Sequence, residues 1–119
     1  MRKLIWIGSS LTDLKRFPDQ VMSDVGHALY FAQCGMKHKS AKPLKGFGGA
    51  GVLEIVESFD GNAYRAVYTI RLKRAIYVLH CFQKKSHKGG RIPKPEQELI
   101  ESRLRDATAL DRSKDGQKG

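Results

Sequence analysis

From Ile76 to Phe82 the chain reads IYVLHCF, an almost unbroken apolar run of strand-forming residues. A run of that length and kind predicts a central strand covered on both faces. Two further β-like segments precede it, Val52 to Ser58 and Ala63 to Arg71, rich in Val, Ile and Tyr as strands are. Asp60-Gly61 between those two is a hairpin signal. The next connection, around Leu72-Lys73-Arg74, carries no Gly or Asn and is placed by length alone. The strand itself is expected over Ala75 to Gln83.

The N-terminal part predicts one strand followed by two helices. Lys3 to Ile7 is short, apolar and closed by Gly8. Ser10-Leu11-Thr12-Asp13 resembles a helix-opening cap, with a short helix through Arg16. Pro18 suits the first turn of a second helix. Val21, Val25, Ala28, Leu29 and Ala32 then fall on one helical stripe, which Gly35 is placed to end. A basic, glycine-rich loop follows from Lys37 to Gly51. Beyond Pro93 and Pro95, Ile100, Leu104 and Ala107 keep helical spacing within Glu96 to Leu110. Asp111 to Gly119 is polar and aperiodic and predicts a flexible tail. The order β-α-α-β-β-β-α makes an α+β domain over residues 1–110, with 111–119 as its tail.

Composition narrows the partners. Lys and Arg number 22 against 12 Asp and Glu, a net charge of +10. A small domain so basic repels itself unless a polyanion is near, and nucleic acid is the leading candidate. The charge is also clustered. Lys37, Lys39, Lys42 and Lys45 form one group without an acid, and Lys84, Lys85, Lys88, Arg91 and Lys94 form another. No apolar run approaches the ~20 residues of a membrane span, and the start of the chain lacks the apolar stretch of a signal peptide. With only Cys34 and Cys81 in the chain, two buried, reduced thiols in a cytoplasmic protein are expected.

Several motifs lead nowhere. Gly46-Phe47-Gly48-Gly49-Ala50-Gly51 matches the dinucleotide pattern, but follows a helix and leads into a strand, whereas that motif follows a strand and opens a helix. No cofactor is expected. His27, His38, His80 and His87 are scattered, and neither cysteine has a second ligand at zinc spacing, so no metal is expected. Cys81 cannot use His80 as its base, because neighbours on a strand point to opposite faces. Arg65 stands out. On its own face it is flanked by Val67 and Thr69, and burying it needs an anion: a carboxylate such as Glu54 or Glu57, or a phosphate.

The order of elements, Lys-Pro-Leu-Lys-Gly at 42–46, and the stretches 59–68 and 78–86, which contain Tyr64-Arg65 and Phe82-Gln83-Lys84-Lys85-Ser86, resemble the RelE/ParE superfamily of type II toxins. Together with the Pro-Lys-Pro-led last helix, they are most similar to its phage-derived, HigB-like branch. The resemblance implies a small antiparallel sheet with helices packed on one face and a basic groove on the other. It implies metal-free cleavage of messenger RNA on the ribosome, in which the ribose 2′-OH attacks its own phosphate. It also implies neutralisation by a helix-turn-helix antitoxin, with operator DNA bound through the toxin–antitoxin complex.

Carried onto this chain, Arg65 takes the place of the strand arginine at the scissile phosphate. Lys84 and Lys85 match the basic pair at the strand end, and Lys45 the loop lysine. Lys42, Lys88 and Arg91 complete the expected RNA-binding set. The chain departs from RelE along Val52 to Glu57, which is acidic where RelE is basic. A 2′-OH attack needs a proton acceptor; Glu54 is the first candidate and His87 the second. The acidic strand also suits a different class, a non-catalytic or gyrase-directed inhibitor of the ParE type. Arg65→Ala is expected to remove growth inhibition and leave the fold intact.

Overall fold

The computed structural model describes residues 1–84 and 92–118, with side chains as far as residue 113. It is an α+β fold with the elements β1 (Lys3–Trp6), α1 (Ser10–Leu14), α2 (Asp19–Gln33), β2 (Ala41–Pro43), β3 (Val52–Phe59), β4 (Asn62–Thr69), β5 (Ala75–Lys84) and α3 (Lys94–Lys118). The strands form one sheet in the order β1-β5-β4-β3-β2. β5 runs between β1 and β4 and is buried along almost its whole length, as its apolar run predicts.

Three features differ from the expected sheet. It is mixed, because β1 pairs with β5 in parallel: α1 and α2 carry the chain back across the sheet before β2 begins, and β5 arrives beside β1 in the same sense. It also gains β2, which pairs antiparallel with β3 inside the supposed loop. Pro43 hides that strand from the sequence, yet an edge tolerates proline because its outer side needs no donor. Finally, the helices occupy both faces. Leu14, Val21, Val25 and Leu29 of α1 and α2 pack with Ile55, Tyr68, Ile76 and Val78. Ile100 and Ala107 of α3 pack with Val67, Tyr77 and Leu79 on the opposite face. Each fully buried Val or Leu on these stripes contributes about 1.5–3 kcal/mol.

Local signals explain the joints. Asp60 and Gly61 both take positive φ, 51° and 79°, and Phe59 pairs with Asn62 across them, the two-residue turn that matches strand twist. α2 ends with Gly35 at φ 81°, where Gly35 N donates to Ala32 O and Met36 N to Phe31 O. That is a Schellman closure. Pro95 lies inside the first turn of α3, where a missing N–H costs nothing.

The C-terminal boundary is corrected. The helix runs on to Lys118, and Asp111, expected in the tail, is buried. It extends the stripe of Ile100, Leu104 and Ala107 by one more turn. Its carboxylate accepts from Lys73 N at 3.0 Å, Arg74 N at 2.9 Å and the Tyr77 hydroxyl at 2.9 Å. The turn with no sequence signal is thus fixed by a side chain from elsewhere. The thiols are corrected as well, since Cys34 is exposed and only Cys81 is buried.

Between β4 and β5 the register slips: Val67 pairs with His80 and Tyr68 with Val78, leaving Leu79 without a partner opposite. Such a bulge changes which residues share a face. Before it, Tyr77 and Leu79 face α3. After it, Phe82 does so too, and His80 stacks on Phe82 with ring centroids 4.6 Å apart. His80, Phe82 and Lys84 are thereby placed on the same face as Val67, Arg65 and Ala63 of β4.

Candidate functional site

Register assembles a charged cluster on that face. Glu54 of β3 stands opposite Val67, and Arg65 of β4 stands opposite Val56, one step along. The two side chains meet on the diagonal: Arg65 Nη1 donates to Glu54 Oε1, with side-chain exposures of 6% and 5%. Of the two carboxylates the sequence offers Arg65, Glu54 is the one used; Glu57 pairs with Tyr64 in the alternate register position, which faces away. Arg65 Nε is buried and has no hydrogen-bond partner among the described residues.

Lys84 completes the cluster at the end of β5, opposite Ala63. It is buried, and its ammonium is held below the usual lysine range, first by loss of solvent and then by the charge of Arg65. Glu54 acts in the other direction. Two cations therefore face one carboxylate. The cluster carries excess positive charge, a planar guanidinium with an N–H to spare, and an oxygen able to accept a proton. Such a set can bind an anionic ester and take a proton from a hydroxyl beside it.

The remaining sequence candidates divide in two. Lys42 is exposed on β2 directly opposite Glu54, so it lies on the same face, and Lys45 is exposed just beyond that strand. Lys85, His87, Lys88 and Arg91 lie outside the described residues. Burial of the Arg65–Glu54 pair also corrects the expectation that Arg65→Ala leaves the fold untouched, since removing one partner strands the other charge.

Sequence reasoning missed a second network. His80 Nε2 donates to Glu96 Oε1 at 2.6 Å, while Nδ1 accepts from Arg103 Nη1 at 3.4 Å. Arg103 also donates to Leu79 O at 3.0 Å and to Ser9 Oγ at 3.1 Å. Its guanidinium passes so close to Gly8, at φ 56°, that a Cβ there would lie 2.8 Å from Nε. Glu96 and Arg103 stand two helical turns apart on α3, and that spacing was the available signal. Nothing in the sequence marks the bulge that turns His80 toward them. Cys81 is no nucleophile: burial, helped by the charge of Asp13 and opposed by Arg103, pushes its thiol up to about 12.

Among the described residues no three His, Cys, Asp or Glu side chains gather as metal ligands, and no helix is long and apolar enough to cross a membrane. Comparison with known proteins finds no match among curated proteins and none among solved structures. A family model does match: Phage derived protein Gp49-like (DUF891), over residues 12–105. That span holds the end of α1, all of α2, the sheet from β2 to β5 and the first half of α3, and the chain belongs to this Gp49-like phage-derived family, a RelE/toxin-like family.

Proposed function

We propose that the chain is the toxin of a type II toxin–antitoxin pair, of the HigB-like branch, and that it cleaves messenger RNA on the ribosome. The observation that carries this reading is the grouping of Glu54, Arg65 and Lys84 on one face of the sheet, with an unused Arg65 N–H. In the proposed reaction the scissile phosphate takes Arg65 and Lys84 as its counter-charges. Glu54, relieved of Arg65, accepts the 2′-OH proton; the 2′ oxygen bonds to phosphorus and the 5′ oxygen leaves and takes a proton from water, giving a cyclic phosphate end and a 5′ hydroxyl. Lys85 adds its charge to those of Arg65 and Lys84 at the phosphate, Lys42, Lys45, Lys88 and Arg91 hold the strand by charge, and His87 is the alternative proton carrier. The protein acts in the cytoplasm and is silenced by a helix-turn-helix antitoxin, through which the pair reaches its operator.

The test is induction in cells followed by mapping of transcript 5′ ends. Cuts phased to codons, lost in Lys84→Gln, are the expected result; intact messages reject cleavage. RNA affinity should fall steeply between low and moderate salt, because released counterions drive such binding. The engagement of Arg65 by Glu54 favours a second reading, in which the charges neutralise each other and the chain inhibits gyrase without cutting RNA. DNA breaks with intact messages would support it.

A further inference from the structure

The outer edge of β5 is only half covered. β1 pairs with Ala75–Val78 and stops at Trp6, while β5 continues to Lys84 with β4 along its inner side. The first exposed carbonyls are sealed individually: Ile7 N and Ser10 Oγ donate to Val78 O, and Arg103 donates to Leu79 O. From His80 to Gln83 no strand lies along the outer side among the described residues. An unpaired edge is a template for another strand, and folds that leave one open within a groove use it to bind.

That groove is present. It has an open volume of about 580 Å³, with Asp13, Arg16 and Phe17 of α1 and the turn after it on one wall, Glu96 of α3 on the other, and His80 to Gln83 as its floor. The volume lies in the range of sites that hold a small ligand or a few residues of peptide. Phe17 and Tyr64, 4.9 Å apart, supply an apolar patch. Among the described residues two carboxylates face one arginine here, against the trend of a chain with net charge +10. A polyanion is disfavoured in such a groove, and an extended peptide carrying a cationic side chain is favoured.

We infer that the β5 edge from His80 to Gln83 receives an extended segment of a partner protein as an added strand. The segment places an apolar side chain over Phe17 and Tyr64 and a Lys or Arg toward Asp13 and Glu96. This docking is independent of the RNA reading, since none of its groups belongs to the Glu54–Arg65–Lys84 cluster.

The test follows backbone amide resonances during titration with the peptide acetyl-Lys-Val-Thr-Val-Lys-amide. Saturable shifts at residues 80–83 and around Asp13, Phe17, Tyr64 and Glu96 are expected. Asp13→Lys should weaken binding at least ~10-fold by charge reversal, and Arg16→Glu, at an exposed position, should tighten it. A titration with no saturable shift at residues 80–83 overturns the inference, as do affinities unchanged in both variants. A short oligouridylate that shifts these amides where the peptide does not assigns the groove to nucleic acid and overturns it equally.

Discussion

Arg65 reaches Glu54 diagonally across β3 and β4, and both side chains are almost wholly removed from solvent. A buried pair of this kind adds little to stability as a pair, but leaving one member alone is costly. Arg65→Ala should therefore destabilise the fold by about 3–5 kcal/mol, measured by urea unfolding. The double variant Glu54→Gln with Arg65→Gln should recover most of that loss. For activity the informative change is Arg65→Lys, which keeps a cation beside Glu54 and discards the planar fork. Its cleavage rate should drop ~10²–10³-fold with the unfolding midpoint little changed. An undiminished rate would remove Arg65 from the chemistry.

Lys84 gives a prediction in pH. Burial first, then the neighbouring guanidinium, lowers its proton affinity. The ammonium is lost at a pH below the ordinary value of 10.5, and cleavage that depends on it should fall on an alkaline limb at that lowered value. Lys84→Arg keeps its charge and should move the limb upward. Stability takes the opposite sign. Between the lowered folded value and 10.5 the unfolded chain holds more protons, so unfolding free energy from this residue rises with pH across that window. A rate profile flat through the alkaline range would show that the charge of Lys84 is dispensable.

Local rules carried much of this architecture. The apolar run at Ile76–Phe82, the Asp60-Gly61 turn and the stripe from Val21 to Ala32 each act over a few residues, and each forms as read. The misses around the site and the C-terminal helix are long-range. Asp111 is polar and followed by more polar residues, so its place in the core depends on backbone donors near residue 74 that adjacency cannot reveal. The bulge at Leu79 follows from the fit of β4 to β5 and not from any residue at the slip. Arg65 was legible as a buried charge needing an anion. Its choice of Glu54 over Glu57 depends on register alone.

The thiols test the burial pattern directly. Cys34 is exposed at the end of α2, whereas Cys81 is buried against α1 and its thiol is pushed up to about 12. Thiolate, not thiol, reacts. At pH 8 an aromatic disulfide reagent should label one cysteine rapidly in the folded protein and the second only after denaturation. Fast labelling of Cys81 would mean that the core between α1 and β5 opens readily.

Asp111 gives the last prediction, because it ties the C-terminal half of α3 to the entry of β5. Burial pushes its carboxyl upward, but the amide of Arg74, the hydroxyl of Tyr77 and the amide of Lys73, with the charge of Arg74, outweigh that and hold it below the ordinary 3.8. A lowered carboxyl contributes stability that is fully present above the unfolded value and is lost as pH falls through the folded one. Wild type should thus lose stability below about pH 4, and Asp111→Asn should lose less over the same range. At neutral pH Asp111→Ala strands three donors and should cost about 1–3 kcal/mol. Hydrogen exchange near Lys73 and Arg74 should rise ahead of exchange in β5, since their amides lose their acceptor while the strand keeps its partners. Equal acid sensitivity in wild type and Asp111→Asn would mean that other carboxyls govern the acid limb.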